Sequence, residues 1–307
     1  MHRDLAASLR HIGVAAAGVL DFDAAGFEDR IRRIEDGERC SPSFFARYYD
    51  LVGALLKDDL ATAEALVAAL IAAAPPPAGL QVLDLGGPEL GEETARYLRM
   101  LNSGEPGEPA MRPPSPEAAA GMRTRLAAGL RLLDTALPDL AGEIRGLVRQ
   151  IVIVGSAPGA GCQIDGGSHY QLWGALFLNA DFHPDSVAVA EALAHESAHC
   201  LLFGLCIEEP LVRNPDSQRF ASPLRADPRP MDGIFHATFV AARMHWTMSA
   251  LAGSGHLDAE QAAAARARAG EDAGLFRDGH ETIARHAELT PLGREVIDAC
   301  LGYMDTL

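Results

Sequence analysis

The stretch Ala194-His195-Glu196-Ser197-Ala198-His199-Cys200 sets two histidines four residues apart, with a glutamate directly after the first. On a helix, residues four apart stand one turn apart on one face. Both imidazoles can therefore close on a single metal ion, with Glu196 beside it. The plainer reading is a pair of half-buried histidines on an amphipathic helix. Context argues against it: the helix has clear ends, a strand precedes it and a third donor follows.

A metal needs that third donor, and its identity separates the chemistries. The extended pattern HExxHxxGxxH fails, because Leu202 and Leu205 stand at the glycine and third-histidine positions. A glutamate on a following helix is the next common solution. Glu208 and Glu209 come too soon after the motif for it, and no other glutamate precedes Glu260. Asp216, Asp227 and Asp232 remain open, and His236 is the favoured donor. Three histidines would leave positions for zinc (Zn) with a hydrolytic water, or for iron(II), Fe(II), with a chelating cosubstrate. Glu196 is the candidate catalytic residue, a general base in the first case and an orienting group in the second.

The elements that must hold these residues can be read from periodicity. Leu172–Asn179 predicts a strand, with Leu172, Leu176 and Leu178 on one face and Trp173, Ala175 and Phe177 on the other. Both faces are apolar, so both need cover. Asp185 or Ser186 caps a helix from Val187 to about Phe203, with Gly204 as its stop. A polar loop rich in arginine and proline, 214–231, leads to a helix from Asp232 or Gly233 to about Leu251. His236 and Arg243 are seven apart, about 20° around that helix, while His245 faces the opposite way.

Upstream, 1–74 reads as helical: Leu5, Leu9 and Ile12 share a face, as do Phe27, Ile31 and Ile34, and Ser41-Pro42 opens another helix. Phe44, Phe45, Tyr48 and Tyr49 are assigned to core packing ahead of a substrate surface. Gln81–Leu85 precedes a glycine turn, but without GxGxxG a nucleotide site is rejected. Residues 103–116, with five prolines and two glycines, read as a linker or lid. Helices over 117–137 and 140–149 lead to the buried-type strand Ile151–Val154 and a glycine-rich turn, 155–162. The tail predicts helices at 258–269 and from Gly279 to about Tyr303. The expectation is an α+β, predominantly helical fold, with a small sheet packed beside the HExxH helix in a zincin-like local arrangement. Residues 1–116 form a helical N-terminal region and 117–307 a metal-binding catalytic domain.

Composition narrows the partners. The net charge of −16, with Lys57 the sole lysine among 26 basic residues, excludes a nucleic-acid backbone as partner. No apolar run is long enough to span a membrane, and the start lacks a signal-peptide pattern. Five cysteines without CxxC spacing argue against a disulfide framework or a cysteine-zinc site, and for the cytoplasm.

HESAH followed by SPLRADPRPMDGIFHATFV resembles the HExxH-domain proteins found with ribosomally made, modified peptides. That family includes 2-oxoglutarate-dependent iron peptide β-hydroxylases. The resemblance covers roughly residues 150–250 and leaves the N-terminal half without a counterpart. It implies that His195, His199 and His236 hold iron(II), that 2-oxoglutarate chelates the iron, and that a precursor peptide is hydroxylated at a side-chain β-carbon. The distal carboxylate of 2-oxoglutarate needs a guanidinium, and Arg225, Arg229 and Arg243 are the candidates. Two other expectations stay beside it: a zinc-dependent peptidase, and a non-catalytic peptide-binding protein whose metal site is structural or lost.

Overall fold

The computed structural model describes residues 1–102, 110–156, 165–225 and 227–306; residues 103–109 of the expected linker and 157–162 of the expected glycine-rich turn, with Cys162, lie outside these. The fold is α+β and predominantly helical. Four helices come first: α1 (His2–Ala15), α2 (Ala24–Glu35), α3 (Pro42–Leu55) and α4 (Leu60–Ala72). Their apolar faces close on one another through Leu9, Ile31, Phe44, Phe45, Val67 and Leu70. Ser41 caps α3 by accepting from the Phe44 amide, with Pro42 in the first turn.

A mixed sheet follows. Strands β1 (Gln81–Asp84), β3 (Gln150–Ser156) and β5 (Ala175–Asn179) run parallel, and β4 (Gly166–Ser168) pairs antiparallel with β5 at the edge. The short β2 (Met111–Arg112) pairs with the end of β3. The sheet thus takes strands from both sides of residue 116. Its two apolar faces are covered as the alternation predicts. Ile151, Ile153, Leu176 and Leu178 pack under α6 (Pro116–Ala136), α7 (Pro138–Leu147) and α8 (Ser186–Leu205). Val152, Val154, Ala175 and Phe177 pack with Tyr97 of α5 (Glu93–Leu101).

Leu172 departs from the expected phase. It joins the Phe177 face, because Tyr170–Leu172 is a 3-10 turn and Gly174, at φ +89°, resets the chain before β5 begins. Trp173 turns instead into the N-terminal helical core, and its indole N–H donates to the Cys200 carbonyl 3.1 Å away. That bond ties the four-helix unit to the motif helix.

Helix α8 is seated from several sides by α6, α7, α9 (Met231–Gly253), β4 and β5. Asp185 caps it, accepting from the amides of Val187 and Ala188 at 2.9 Å each. Gly204 does not end it; the helix runs to Leu205 and is capped at Cys206. The tail differs more. One helix, α10 (Ala259–His286), crosses the expected gap, and α11 (Pro291–Met304) follows. The alanine-rich stretch and packing along α9 outweigh Gly270 and Gly274. The break falls at Thr290-Pro291 instead, where Thr290 caps α11 and proline starts it.

Candidate metal centre

The apolar faces of α8 and α9 converge, which brings three histidines into one row. The Nε2 atoms of His195 and His199 lie 3.2 Å apart. Two nitrogens each about 2.1 Å from one ion can be no more than about 4.2 Å apart, so this pair fits a shared metal. His236, from the second turn of α9, meets the other side of the central ring: its Nδ1 is 3.1 Å from His199 Nδ1, with the rings 16° from parallel. The Nδ1 of His195 is 3.1 Å from the Met244 sulfur, also on α9.

Glu196 sits beside the pair, Oε1 4.0 Å from His195 Nε2. Among the described residues, His195, Glu196 and His199 form the one group whose donor atoms all lie within 4.8 Å of one another. The second oxygen of Glu196 is buried without a hydrogen-bond partner.

Burial governs the charges here. It lowers the pKa of all three imidazoles, and for His199 the flanking rings of His195 and His236 push the same way. Neutral imidazoles present the lone pairs that a metal needs. Burial also raises Glu196 to about 8, aided by the nearby charge of Asp165 and opposed by the Ser168 hydroxyl and Arg225. Metal-free, the group favours its protonated form at neutral pH.

The candidate arginines part company. Arg225, exposed on the loop, carries a charge felt at both His195 and Glu196. Arg229 pairs with Asp227 at 2.9 Å, and Arg243 with Glu143 of α7. Of the alternative donors, Asp232 comes within 4.0 Å of His236 Nε2, and Asp216 is exposed on the loop. His245 is buried on the far face of α9, 2.8 Å from the Tyr303 hydroxyl.

Two cavities flank the row. The larger, about 590 Å³, has His236 in its wall; the smaller, about 230 Å³, has His195 and Glu196. Sequence reasoning missed Met244, and also Asp165, His183 and Arg268 in the smaller cavity. His183 holds a left-handed φ of +59° while its Nε2 reaches the Asp165 carbonyl at 2.9 Å. Arg268, on α10, pairs with Glu191. These four come from separate elements, and no local pattern links them to the motif. Tyr48 and Tyr49 were visible as part of an aromatic cluster. Phe44 and Phe45 are core as expected, while Tyr48 and Tyr49, with an edge of Phe45, line the larger cavity.

Behind Arg268, Asp272 is 2% exposed and one of its oxygens lacks a partner. Burial, with the charges of Glu191 and Glu271, raises its pKa to about 8. The folded protein thus holds a proton there that the unfolded chain releases near pH 4, so this group removes stability as pH rises from about 4 to 8. Asp272→Asn is expected to raise the melting temperature at pH 8 and change it little at pH 4. An equal shift at both pH values would refute this.

No protein-family model matches the chain, and no curated protein matches it in sequence.

Proposed function

We propose that this chain holds iron(II) at His195, His199 and His236 and, with 2-oxoglutarate, hydroxylates a side-chain β-carbon of a ribosomally made precursor peptide. The observation that carries the reading is the row of imidazoles. A third histidine, from another helix, reaches the HExxH pair where a peptidase would bring a carboxylate. His236 touches the nitrogen of His199 that faces away from His195, so capture of one ion by all three rings requires a ring to turn. The cavity at His236 leaves space for that turn.

The donor set suits iron(II): imidazoles without a thiolate, in a site that keeps positions open for a chelating cosubstrate. Iron(II) with 2-oxoglutarate and dioxygen supplies a two-electron oxidation of a C–H bond, releasing succinate and carbon dioxide. The chain's own residues bind and orient. Arg225, whose charge is felt at Glu196, is the guanidinium that would attract the distal carboxylate. Glu196, with its free oxygen, donates or accepts a hydrogen bond beside His195. The aromatic cavity at His236 receives the peptide. The free Cys40, Cys200, Cys206 and Cys300 accord with a reducing, cytoplasmic setting. No helix among the described residues is long and apolar enough to cross a membrane.

A zinc peptidase is the second reading. It is favoured by the closeness of Glu196 to both histidines, and by the antiparallel edge strand β4 beside α8. One experiment separates the two. Iron(II)-loaded protein, given 2-oxoglutarate without oxygen, is expected to develop a visible charge-transfer band, and in air with ascorbate to form succinate. Zinc-dependent cleavage of a mixed peptide pool, with neither band nor succinate, would overturn the oxygenase.

A further inference from the structure

The larger cavity lies where α1, α3, the Tyr170 turn, the end of α8 and the start of α9 meet. Its wall is a chain of aromatic rings. Tyr48 meets Tyr49 at 5.0 Å between centroids, Tyr49 meets Tyr170 at 5.2 Å, Tyr170 meets Phe203 at 6.4 Å, and Phe203 meets His236 at 5.5 Å. Leu5, Ile207 and Leu211 add aliphatic surface. The rings thus form a continuous series along the wall from Tyr48 to the histidine row.

The charged groups on this wall are two carboxylates and one cation, the Met1 amino group. Asp4 and Asp232 line the cavity, and no lysine or arginine does so among the described residues. Asp4 is engaged by the Met1 amino group at 2.9 Å. Asp232 is 55% exposed and approaches the ring of His236 at 4.0 Å. A carboxylate therefore stands at the metal end of an aromatic channel with no guanidinium or ammonium beside it.

We propose that this cavity is the specificity pocket for a cationic side chain, arginine or lysine, of the peptide substrate. The assignment rests on the proposed function in taking the histidine row as the reacting centre. Three features of the wall select a cation. Aromatic faces carry a negative quadrupole and attract a guanidinium or ammonium group. The methylene stem of arginine or lysine covers apolar surface while its head stays polar, which matches aliphatic and aromatic walls with a carboxylate at the end. A neutral aromatic side chain would fill the same space but offer Asp232 no partner. An acidic side chain would meet the Asp232 carboxylate, since Asp4 is already paired with the Met1 amino group. The net charge of −16 acts in the same direction at longer range, drawing basic peptides to the protein.

The test needs no turnover. Metal-loaded protein is titrated calorimetrically with acetylated pentapeptide amides, Gly-Gly-X-Gly-Gly, in which X is arginine, lysine, norleucine, phenylalanine or glutamate. The better of the arginine and lysine peptides is expected to bind at least tenfold tighter than norleucine or phenylalanine, and to weaken with added salt. The ranking between the two names the preferred cation. Asp232→Asn is expected to bring that peptide to within about twofold of norleucine. Tyr49→Leu is expected to weaken it about threefold to tenfold and leave norleucine within twofold.

Equal binding of the cationic, norleucine and phenylalanine peptides to the unmodified protein overturns the proposal, so an unstable variant cannot rescue it. Unchanged discrimination in a folded Asp232→Asn variant overturns it as well. A cation preference without succinate formation would remove the oxygenase reading and leave the pocket assignment standing. Succinate formation without a cation preference would do the reverse.

Discussion

Substituting alanine for His199 is expected to leave the protein without measurable iron(II) or zinc after dialysis, and to weaken metal affinity at least about 1,000-fold in chelator competition. Loss of a group that merely orients a metal ligand already costs about 10- to 100-fold, and His199 is the ring that the others share. One of its nitrogens faces His195 and the other faces His236. Without it, two imidazoles remain on separate helices with nothing to bring them to one ion. Retention of stoichiometric metal by the folded variant would remove the site from this part of the molecule. The companion variants are as informative. If three imidazoles hold the ion, His236→Ala loses metal as His199→Ala does and Glu196→Gln keeps it. If the HExxH motif supplies all the protein ligands, the two outcomes exchange.

The next largest effect is expected at Gly129, which touches no candidate ligand. A Cβ at this position of α6 would lie 2.5 Å from Val189 Cγ1 and 2.8 Å from Val189 Cβ on α8, and 3.3 Å from the Ser186 carbonyl oxygen. Neither helix can easily retreat, because α8 is seated on β5 behind and on α9 beside it. Gly129→Ala is therefore expected to destabilise the fold by about 2–3 kcal/mol, the upper part of the usual overpacking range, and to lower the melting temperature by about 3–5 °C. The added Val189→Ala change removes the nearer methyl contact and is expected to recover part of that loss. An unchanged melting temperature in Gly129→Ala would show that the two helices do not meet this closely.

Features that rest on local chemistry were legible in the chain. Asp185 as cap, Ser41-Pro42 as a helix start and the alternation of Leu176 and Leu178 against Ala175 and Phe177 follow from short-range rules. So did the position of His236 near the start of a second long helix. What escaped depends on neighbours distant in sequence. Strand β4 is Gly-Gly-Ser, with no residue that favours a strand, and it exists because β5 offers an edge. Helix α5 is short, and its burial turns on Tyr97, whose hydroxyl finds Gln150 at 2.8 Å. Helix α10 runs through Gly270 and Gly274, and at Gly279 the missing side chain lets Thr238 of α9 come close. In the site, HExxH was legible because four-residue spacing is a helical property. Met244, Arg268 and the tyrosine wall have no such signature.

The setting of the imidazoles bears on which ion the protein carries when isolated. A histidine that binds metal usually passes its remaining N–H to a carboxylate or a carbonyl, which fixes the ring and makes it a stronger donor. Here His195 faces a thioether, His199 spends both nitrogens on other rings, and the nearest carboxylates to His195 and His236 stand at 4.0 Å. Rings anchored this lightly reorient easily, so one divalent ion bound among them can be replaced by another. Occupancy then follows supply and the intrinsic order of the divalent metals, in which zinc outcompetes iron(II). Zinc in protein purified aerobically would record the contents of the buffer, and the working ion is better identified by loading each metal without oxygen and comparing the chemistry that results.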